Sequence, residues 1–173
     1  MGYSTLFESY LNDLSSRSSA PGGGSAASLV FSIGVSLIEM AVNFSINKDN
    51  KHRLNKSLSL FKRTEKKVLS YVDLDADIFR EVLKLKGVKR KSFLRKLNNI
   101  TFDLGVSCIR ILTAAAGIRR LIKKGIMSDF DIGIKCIRAA LFASVKNMEA
   151  NSKFFGIKNT AKTKYLRKYL KKI

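Results

Sequence analysis

The segment Ser19–Ala27 holds the only proline of the chain and its densest cluster of glycines. It reads Ser-Ala-Pro-Gly-Gly-Gly-Ser-Ala-Ala and opens into a long apolar stretch over 26–46. Three adjacent glycines let the backbone take positive φ and let a ligand approach the amides closely. The free N–H groups at a helix start favour an anion or a polarised carbonyl. The segment therefore predicts either a ligand-binding helix start or a flexible linker before a core helix.

The remainder of the chain is nearly free of helix breakers, and its composition favours helix. We predict a single all-α domain over 1–173, because 173 residues is an ordinary length for one domain. The expected architecture is an up-and-down bundle of about five long helices with a short N-terminal helix and a basic tail helix over 156–173. The predicted helices cover 5–15 with Ser4 as N-cap, 25–47, 52–86, 91–124 with Gly125 as C-cap, and 128–151 or 128–155 with Ser128-Asp129 as N-cap pair.

Basic residues are in large excess and are unevenly placed. The formal net charge is +20, and two blocks, 84–96 and 158–172, contain almost no acids. Such a charge suits nucleic acid, an anionic membrane surface or an anionic small molecule as partner. The alternative is a set of solvated lysine-rich faces without a partner.

Two further features bear on where the protein works. Cys108 and Cys136 fit no metal or redox spacing, which predicts buried thiols in a reducing, cytoplasmic setting. We identify no signal peptide at the N-terminus. The apolar stretch 26–46 is interrupted by Glu39, Asn43 and several serines, so we expect a buried helix rather than a membrane span.

One acidic residue lies where an apolar side chain is expected. Helical geometry places Asp73 and Asp77 on a solvated face, whereas Asp75 shares a stripe with Tyr71 and Phe79. A carboxylate on such a stripe is paired, desolvated or functional, and desolvation raises its pKa toward neutrality. Asp75 is therefore a candidate for proton transfer, with a buried ion pair as the alternative.

The last long predicted helix carries a second unusual face. Small residues on this face lead to two carboxamides, Asn147 and Asn151, which need hydrogen-bond partners if they are buried. They predict either a helix–helix hydrogen bond or a clamp on a ligand. His52 is the only histidine and is expected at the surface, and no cluster with metal-ligand spacing is found.

These pieces, in this order, resemble the cyclodeaminase/cyclohydrolase family. That family includes the C-terminal domain of formiminotransferase-cyclodeaminase and bacterial methenyltetrahydrofolate cyclohydrolases. The matching segments are Pro21–Ala27, Asp75–Leu83 and the late Ser128-Asp129 with Asn147–Asn151. Family members usually carry turn prolines that this chain lacks around 84–87 and 103–105.

The resemblance implies a dimeric all-helical domain that opens or closes the N5–N10 ring of a tetrahydrofolate, as a methenyltetrahydrofolate cyclohydrolase or a formiminotetrahydrofolate cyclodeaminase. The folate, including polyglutamylated forms, would be the substrate, and no metal is implied. Asp75 or Asp129 would transfer protons; Asp129 is otherwise a helix cap. Substrate-binding groups would be Pro21, Gly22, Gly23, Gly24, Ser25, Asn147 and Asn151.

Two other functions fit the same sequence. The first is a catalytically silent helical module whose basic surface, with Tyr165 and Tyr169, binds nucleic acid or an acidic partner. Such binding would weaken steeply with salt. The second is a related ring reaction on another anionic substrate.

Overall fold

The computed structural model describes residues 2–172, which form seven α-helices and no β-strand within that range. The helices are α1 (Tyr3–Ser15), α2 (Gly23–Ser45), α3 (Lys51–Leu69), α4 (Tyr71–Lys84), α5 (Gly87–Ile118), α6 (Met127–Phe155) and α7 (Thr160–Lys172). Two short 3-10 turns, Arg119–Leu121 and Lys124–Ile126, connect α5 to α6. The prediction of an all-α bundle, with long helices between a short first helix and a basic last one, is confirmed.

Helix α2 lies at the centre of the bundle and packs against α3, α4 and α6. Its closest approach to α6 is made by two glycines. A β-carbon at Gly34 would lie 2.8 Å from the Gly133 carbonyl oxygen, and one at Gly133 would lie 2.6 Å from the Gly34 carbonyl oxygen. The two backbones therefore touch where side chains are absent, which fixes the position of α6 relative to the glycine segment at the start of α2.

The single helix predicted over 52–86 is wrong, since α3 and α4 are separate helices that meet at Ser70. The Ser70 hydroxyl donates to the Lys67 carbonyl oxygen over 2.7 Å, a local bond that competes with the helical ladder. The break turns the chain so that α4 packs against α2 and α5. No glycine or proline marks this position, because Ser70 keeps right-handed helical angles.

Three predicted helix ends also differ from the structure. Helix α1 begins at Tyr3 with Gly2 as N-cap, so Ser4 is not the cap. Helix α5 ends at Ile118 rather than near Gly125. Helix α6 begins at Met127, which places Ser128 and Asp129 in its first turn and not at its N-cap.

The basic tail helix α7 packs on the core through Leu166, with the partly buried Tyr169 and Leu170 beside it. Leu166 is fully buried and lies against α5 at Gly105, where a β-carbon would come within 2.5 Å of Leu166 Cδ1. Gly105 therefore admits the tail helix and does not form a turn. The turn between α4 and α5 forms instead at Leu85 and Lys86, before Gly87 with its positive φ of 57°.

Helices α2 and α5 have apolar stretches long enough to cross a bilayer by length and composition. About half of each stretch is buried inside the bundle, as in the core helices of a folded domain. Cys108 is buried in that core and Cys136 is partly buried, while His52 is exposed as predicted.

Candidate active site

The glycine segment forms the N-terminal end of α2 and faces Asp75 of α4. The Ser25 N–H donates to Asp75 Oδ2 over 3.1 Å, so one free amide of the first turn is used to hold the carboxylate. A β-carbon at Gly24 would lie 2.2 Å from Asp75 Oδ1. Only glycine at this position lets the carboxylate reach the helix start.

The Asp75 carboxyl has a changed acidity. Burial raises the pKa of Asp75 from 3.8 to about 6, and the Ser25 amide opposes this by stabilising the ionised form. Desolvation is the larger effect. A carboxyl with a pKa near 6 accepts and donates protons readily at neutral pH. Asp73 and Asp77 are exposed, as predicted, and Asp77 pairs with Arg80.

Asp75 opens onto a cavity of about 590 Å³ that is large enough for a drug-sized ligand. Four helices and the glycine loop contribute to its wall. Among the described residues, Asp75 is the one carboxyl group in this wall. The remaining lining residues are Ser19, Ala20, Gly22, Gly23, Gly24, Phe79, Leu97, Thr101, Asn147, Ala150, Asn151, Phe154 and Phe155.

Both predicted asparagines line this cavity from the C-terminal part of α6. Asn147 lies against the glycine loop, where a β-carbon at Gly23 would be 3.1 Å from its Oδ1. Its Nδ2 is shielded from solvent and has no hydrogen-bond partner among residues 2–172, which is uncommon for a buried amide donor. Asn151 is also buried. An unpartnered donor at the edge of an apolar cavity is suited to a carbonyl or ring nitrogen of a ligand.

Three other predicted site residues lie elsewhere. Pro21 does not line the cavity, and the buried Ser25 hydroxyl is hydrogen-bonded to the Tyr10 hydroxyl at 3.0 Å. Ser25 thus contributes its backbone amide rather than its side chain. Asp129 is 18 residues before Asn147 on α6, about 27 Å along the helix axis, and does not line the cavity. Within one chain, the structure does not bring Asp129 and Asp75 together.

The aromatic and apolar wall was not predicted. Phe79 and Phe155 stack edge to face with ring centroids 6.2 Å apart, and Phe154 is 74% exposed beside them. Leu97 and Thr101 come from α5. The sequence signals for this wall were Phe79 on the stripe of Asp75 and the Phe154-Phe155 pair at a helix end, because Leu97 and Thr101 have the spacing of ordinary core residues.

A basic groove adjoins the cavity, and Phe155 lines both. The groove has a volume of about 650 Å³ and carries four cations, Lys91, Arg95, Lys158 and Lys162. Within residues 2–172, none of the four forms an ion pair, and no carboxyl group lines the groove. The sequence explains this, since no acid occurs between Glu81 and Asp103 or after Glu149. In the same range, no three potential metal ligands of the His, Cys, Asp or Glu type come together.

Comparison with known proteins identifies the family. A family model described as formiminotransferase-cyclodeaminase matches residues 6–172, and the chain belongs to this family. A crystal structure of formiminotetrahydrofolate cyclodeaminase from Thermotoga maritima has the same fold, with a TM-score of 0.83 over 95% of this chain and 86% of that chain. The two sequences are 17% identical. A comparison with curated protein sequences gives no significant match. Family membership supports a folate-related enzyme and does not favour a silent binding module.

Proposed function

We propose that this protein opens or closes the five-membered ring that joins N5 and N10 of a tetrahydrofolate. It would act as a methenyltetrahydrofolate cyclohydrolase or a formiminotetrahydrofolate cyclodeaminase. The observation that carries the proposal is the Asp75 carboxyl, held by the Ser25 amide at the wall of a ligand-sized cavity, with a pKa near 6.

In the hydrolytic direction, water adds to the methenyl carbon and the bond from that carbon to N5 breaks. One proton of the water passes to N5, the other leaves to solvent, and 10-formyltetrahydrofolate forms. Asp75 in its ionised form would accept the proton of the attacking water and, once protonated, would deliver a proton to N5. A carboxyl with the acidity of Asp75 can do both because its two forms are close in free energy near neutral pH.

In the cyclodeaminating direction, N10 attacks the formimino carbon and loses its proton, and the formimino nitrogen leaves as ammonia. The leaving nitrogen needs two protons, one from N10 and one from solvent, so the reaction consumes one proton. Protonated Asp75 would supply the leaving nitrogen and ionised Asp75 would accept the N10 proton. The same residue therefore serves both reactions, and the geometry does not select one direction.

Ligand binding would use the groups that surround Asp75. The Phe79 and Phe155 rings offer an apolar wall to the flat pteridine, and the Asn147 amide, which lacks a partner, would donate to a pteridine acceptor. The backbone amides of Gly22, Gly23 and Gly24 would face a carbonyl or carboxylate of the substrate. We assign proton transfer to Asp75 rather than Asp129, because Asp129 lies outside the cavity.

The basic groove would receive the glutamate end of the folate. A folate ends in a glutamate, and polyglutamylated forms extend it as a chain of carboxylates. The groove adjoins the cavity at Phe155, which lines both. Its cations have no acidic partners in the described part of the chain; they are Lys91, Arg95, Lys158 and Lys162. The positive charge of the groove would attract the additional carboxylates of a polyglutamylated folate, so folates with longer glutamate tails would bind more tightly.

We also propose that the protein works as a homodimer. Helix α1 buries none of its residues in this chain, and its Leu6 and Leu11 are 59% and 55% exposed. Large apolar side chains are also exposed on α2, at Ile33 and Phe44, and on α6 at Phe142. Exposed large apolar side chains are a common feature of surfaces that pair with another chain. Sedimentation of the wild-type chain at twice its 19.3 kDa mass would support the dimer, and a monomer mass would refute it.

The direct test is an absorbance assay with both substrates. The methenyl chromophore is lost when 5,10-methenyltetrahydrofolate is hydrolysed and appears when 5-formiminotetrahydrofolate is cyclised. We expect the purified protein to accelerate at least one of these changes over the rate without enzyme. If neither substrate reacts faster with the protein, the proposed function is wrong.

A further inference from the structure

Asp75 lines a second, much smaller cavity in addition to the open one. This cavity has a volume of about 10 Å³, at the lower limit of the space that admits a single water molecule. Gly24, Asp75 and Thr101 line both cavities, and the residues that line the small cavity only are Ser28, Tyr71, Ile100 and Leu104. The Ser28 and Thr101 hydroxyls in its wall donate their protons to carbonyl oxygens of their own helices, which leaves their oxygens as acceptors. A water here would have the polar partners it needs.

Tyr71, which lines this small cavity, is hydrogen-bonded toward the protein surface. Tyr71 lies one turn before Asp75 on α4 and is 8% exposed. Its hydroxyl donates to Asp103 Oδ2 over 2.8 Å, and Lys67 Nζ lies 2.6 Å from the same oxygen. The side chains of Asp103 and Lys67 are 36% and 53% exposed, so both reach solvent. From the small cavity to the protein surface, the polar side chains therefore follow in the order Asp75, Tyr71 and Asp103.

Both reactions proposed above exchange one net proton with solvent in each turnover. A folate in the open cavity would cover the side of Asp75 that faces the cavity mouth. The small cavity would then be the remaining route by which Asp75 exchanges protons with other polar groups. We propose that Tyr71 and Asp103 relay protons between Asp75 and solvent, with one water in the small cavity. This inference rests on the proposed function, because the relay serves a proton that the folate reaction releases or consumes.

The relay balances in either direction. When the hydrated methenyl adduct collapses to the formyl group, ionised Asp75 takes up the remaining hydroxyl proton and gives it to the cavity water, which passes a proton to the Tyr71 oxygen as the Tyr71 proton moves to Asp103 Oδ2. Asp103 then releases a proton to solvent, and each relay group returns to its starting form. For cyclodeamination the same transfers run inward. Burial and the Asp103 hydrogen bond both raise the pKa of Tyr71, so the phenol remains protonated between turnovers. Lys67 holds Asp103 and is a positioning residue.

The test compares Tyr71→Phe, Asp103→Asn and the double variant with the wild type, with Tyr165→Phe as a control on a tyrosine outside the cavity. Tyr71→Phe keeps the buried ring, and Asp103→Asn leaves the core untouched, so the fold is retained in at least one of them. In dilute buffer we expect kcat to fall at least about tenfold in both single variants and no further in the double variant. KM should stay within about twofold, because the relay does not contact the substrate.

Buffer concentration separates proton transfer from a structural role. Small buffer molecules carry protons through the open cavity between turnovers, so kcat of the two variants should rise with buffer concentration while that of the wild type stays constant. An active wild type with unchanged kcat in Tyr71→Phe, or a loss that is independent of buffer and tracks a lower Tm, overturns the relay alone. A wild type inactive on both folates overturns the relay together with the proposed function.

Discussion

Gly24 and Asp75 are in contact across the start of α2 and the middle of α4, and this contact excludes any side chain at position 24. A β-carbon there would lie 2.2 Å from Asp75 Oδ1 and 2.5 Å from its carboxyl carbon. The glycine segment and the acid are 51 positions apart in the chain. Their contact explains why a loop of this composition precedes the helix.

Gly24→Ala should displace the Asp75 carboxylate from the Ser25 amide. We expect turnover to fall at least about a hundredfold, as for loss of a general acid or base. The crowding should lower the free energy of unfolding by about 1–3 kcal/mol. Gly117→Ala is the matched control, since among the described residues no atom beyond its chain neighbours and its own helix backbone lies within 4 Å of an added β-carbon. Activity assays and chemical denaturation of both variants check this, and an active Gly24→Ala would contradict it.

The hydrolytic reaction should depend on pH through Asp75. Burial raises the pKa of this carboxyl to about 6, so it is ionised above that pH and protonated below it. Because the attacking water needs an ionised acceptor, kcat/KM should fall by about tenfold for each pH unit below 6. A pH–rate profile measured on the wild-type protein checks whether kcat/KM falls as the pH is lowered. A rate that stays constant between pH 7 and about pH 5 would show that this carboxyl is not the acceptor.

Asn147 and Asn159 should respond in opposite ways to replacement by alanine. The Asn147 Nδ2 has no hydrogen-bond partner, so its loss should change the free energy of unfolding by less than about 1 kcal/mol and raise KM about tenfold. Asn159 donates to Asn98 Oδ1 and to the Met148 carbonyl oxygen. Its loss should cost about 2–3 kcal/mol of stability and change KM less than Asn147→Ala does, because its amide already has two partners within the protein. Denaturation curves and steady-state kinetics separate the two, and equal effects on KM would refute the assignment.

Substitutions in the basic groove should affect KM more for folates with a long glutamate tail than for the monoglutamate. In the double variant Arg95→Gln, Lys158→Gln, we expect KM for a pentaglutamate folate to rise about fivefold to tenfold, since each exposed charge pair contributes a fraction of a kcal/mol to about 1 kcal/mol. KM for the monoglutamate should change less. Lys48→Gln, Lys51→Gln is the matched control on exposed lysines outside the groove. Equal changes for both tail lengths would remove the groove from substrate binding.

The site residues that could be predicted from the sequence are those whose positions follow from residue spacing within a single helix. Asp75 was placed on an apolar stripe by its position relative to Tyr71 and Phe79. Asn147 and Asn151 are one turn apart and do lie on one cavity wall. The helical rise per residue places Asp129 about 27 Å from Asn147 along the axis of α6. The resemblance to the family, which grouped both residues in one site, did not show this separation.

The remaining features depend on contacts between helices. Leu97 and Thr101 look like core residues and become cavity residues only because α5 passes beside α4 and α6. The break at Ser70 carries no glycine or proline, so periodicity continues through it. The Tyr71–Asp103 bond links residues 32 positions apart, and their pairing follows from the packing of α4 on α5.

The measurement that tests the central claim most directly is turnover of the methenyl or formimino folate by Asp75→Asn beside Asp77→Asn. The two substitutions make the same chemical change on one helix, at the cavity and at an exposed face. The account predicts a loss of at least about a hundredfold for Asp75→Asn, with its fold nearly unchanged, and activity within about twofold of wild type for Asp77→Asn. A folded Asp75→Asn protein with wild-type turnover would contradict it.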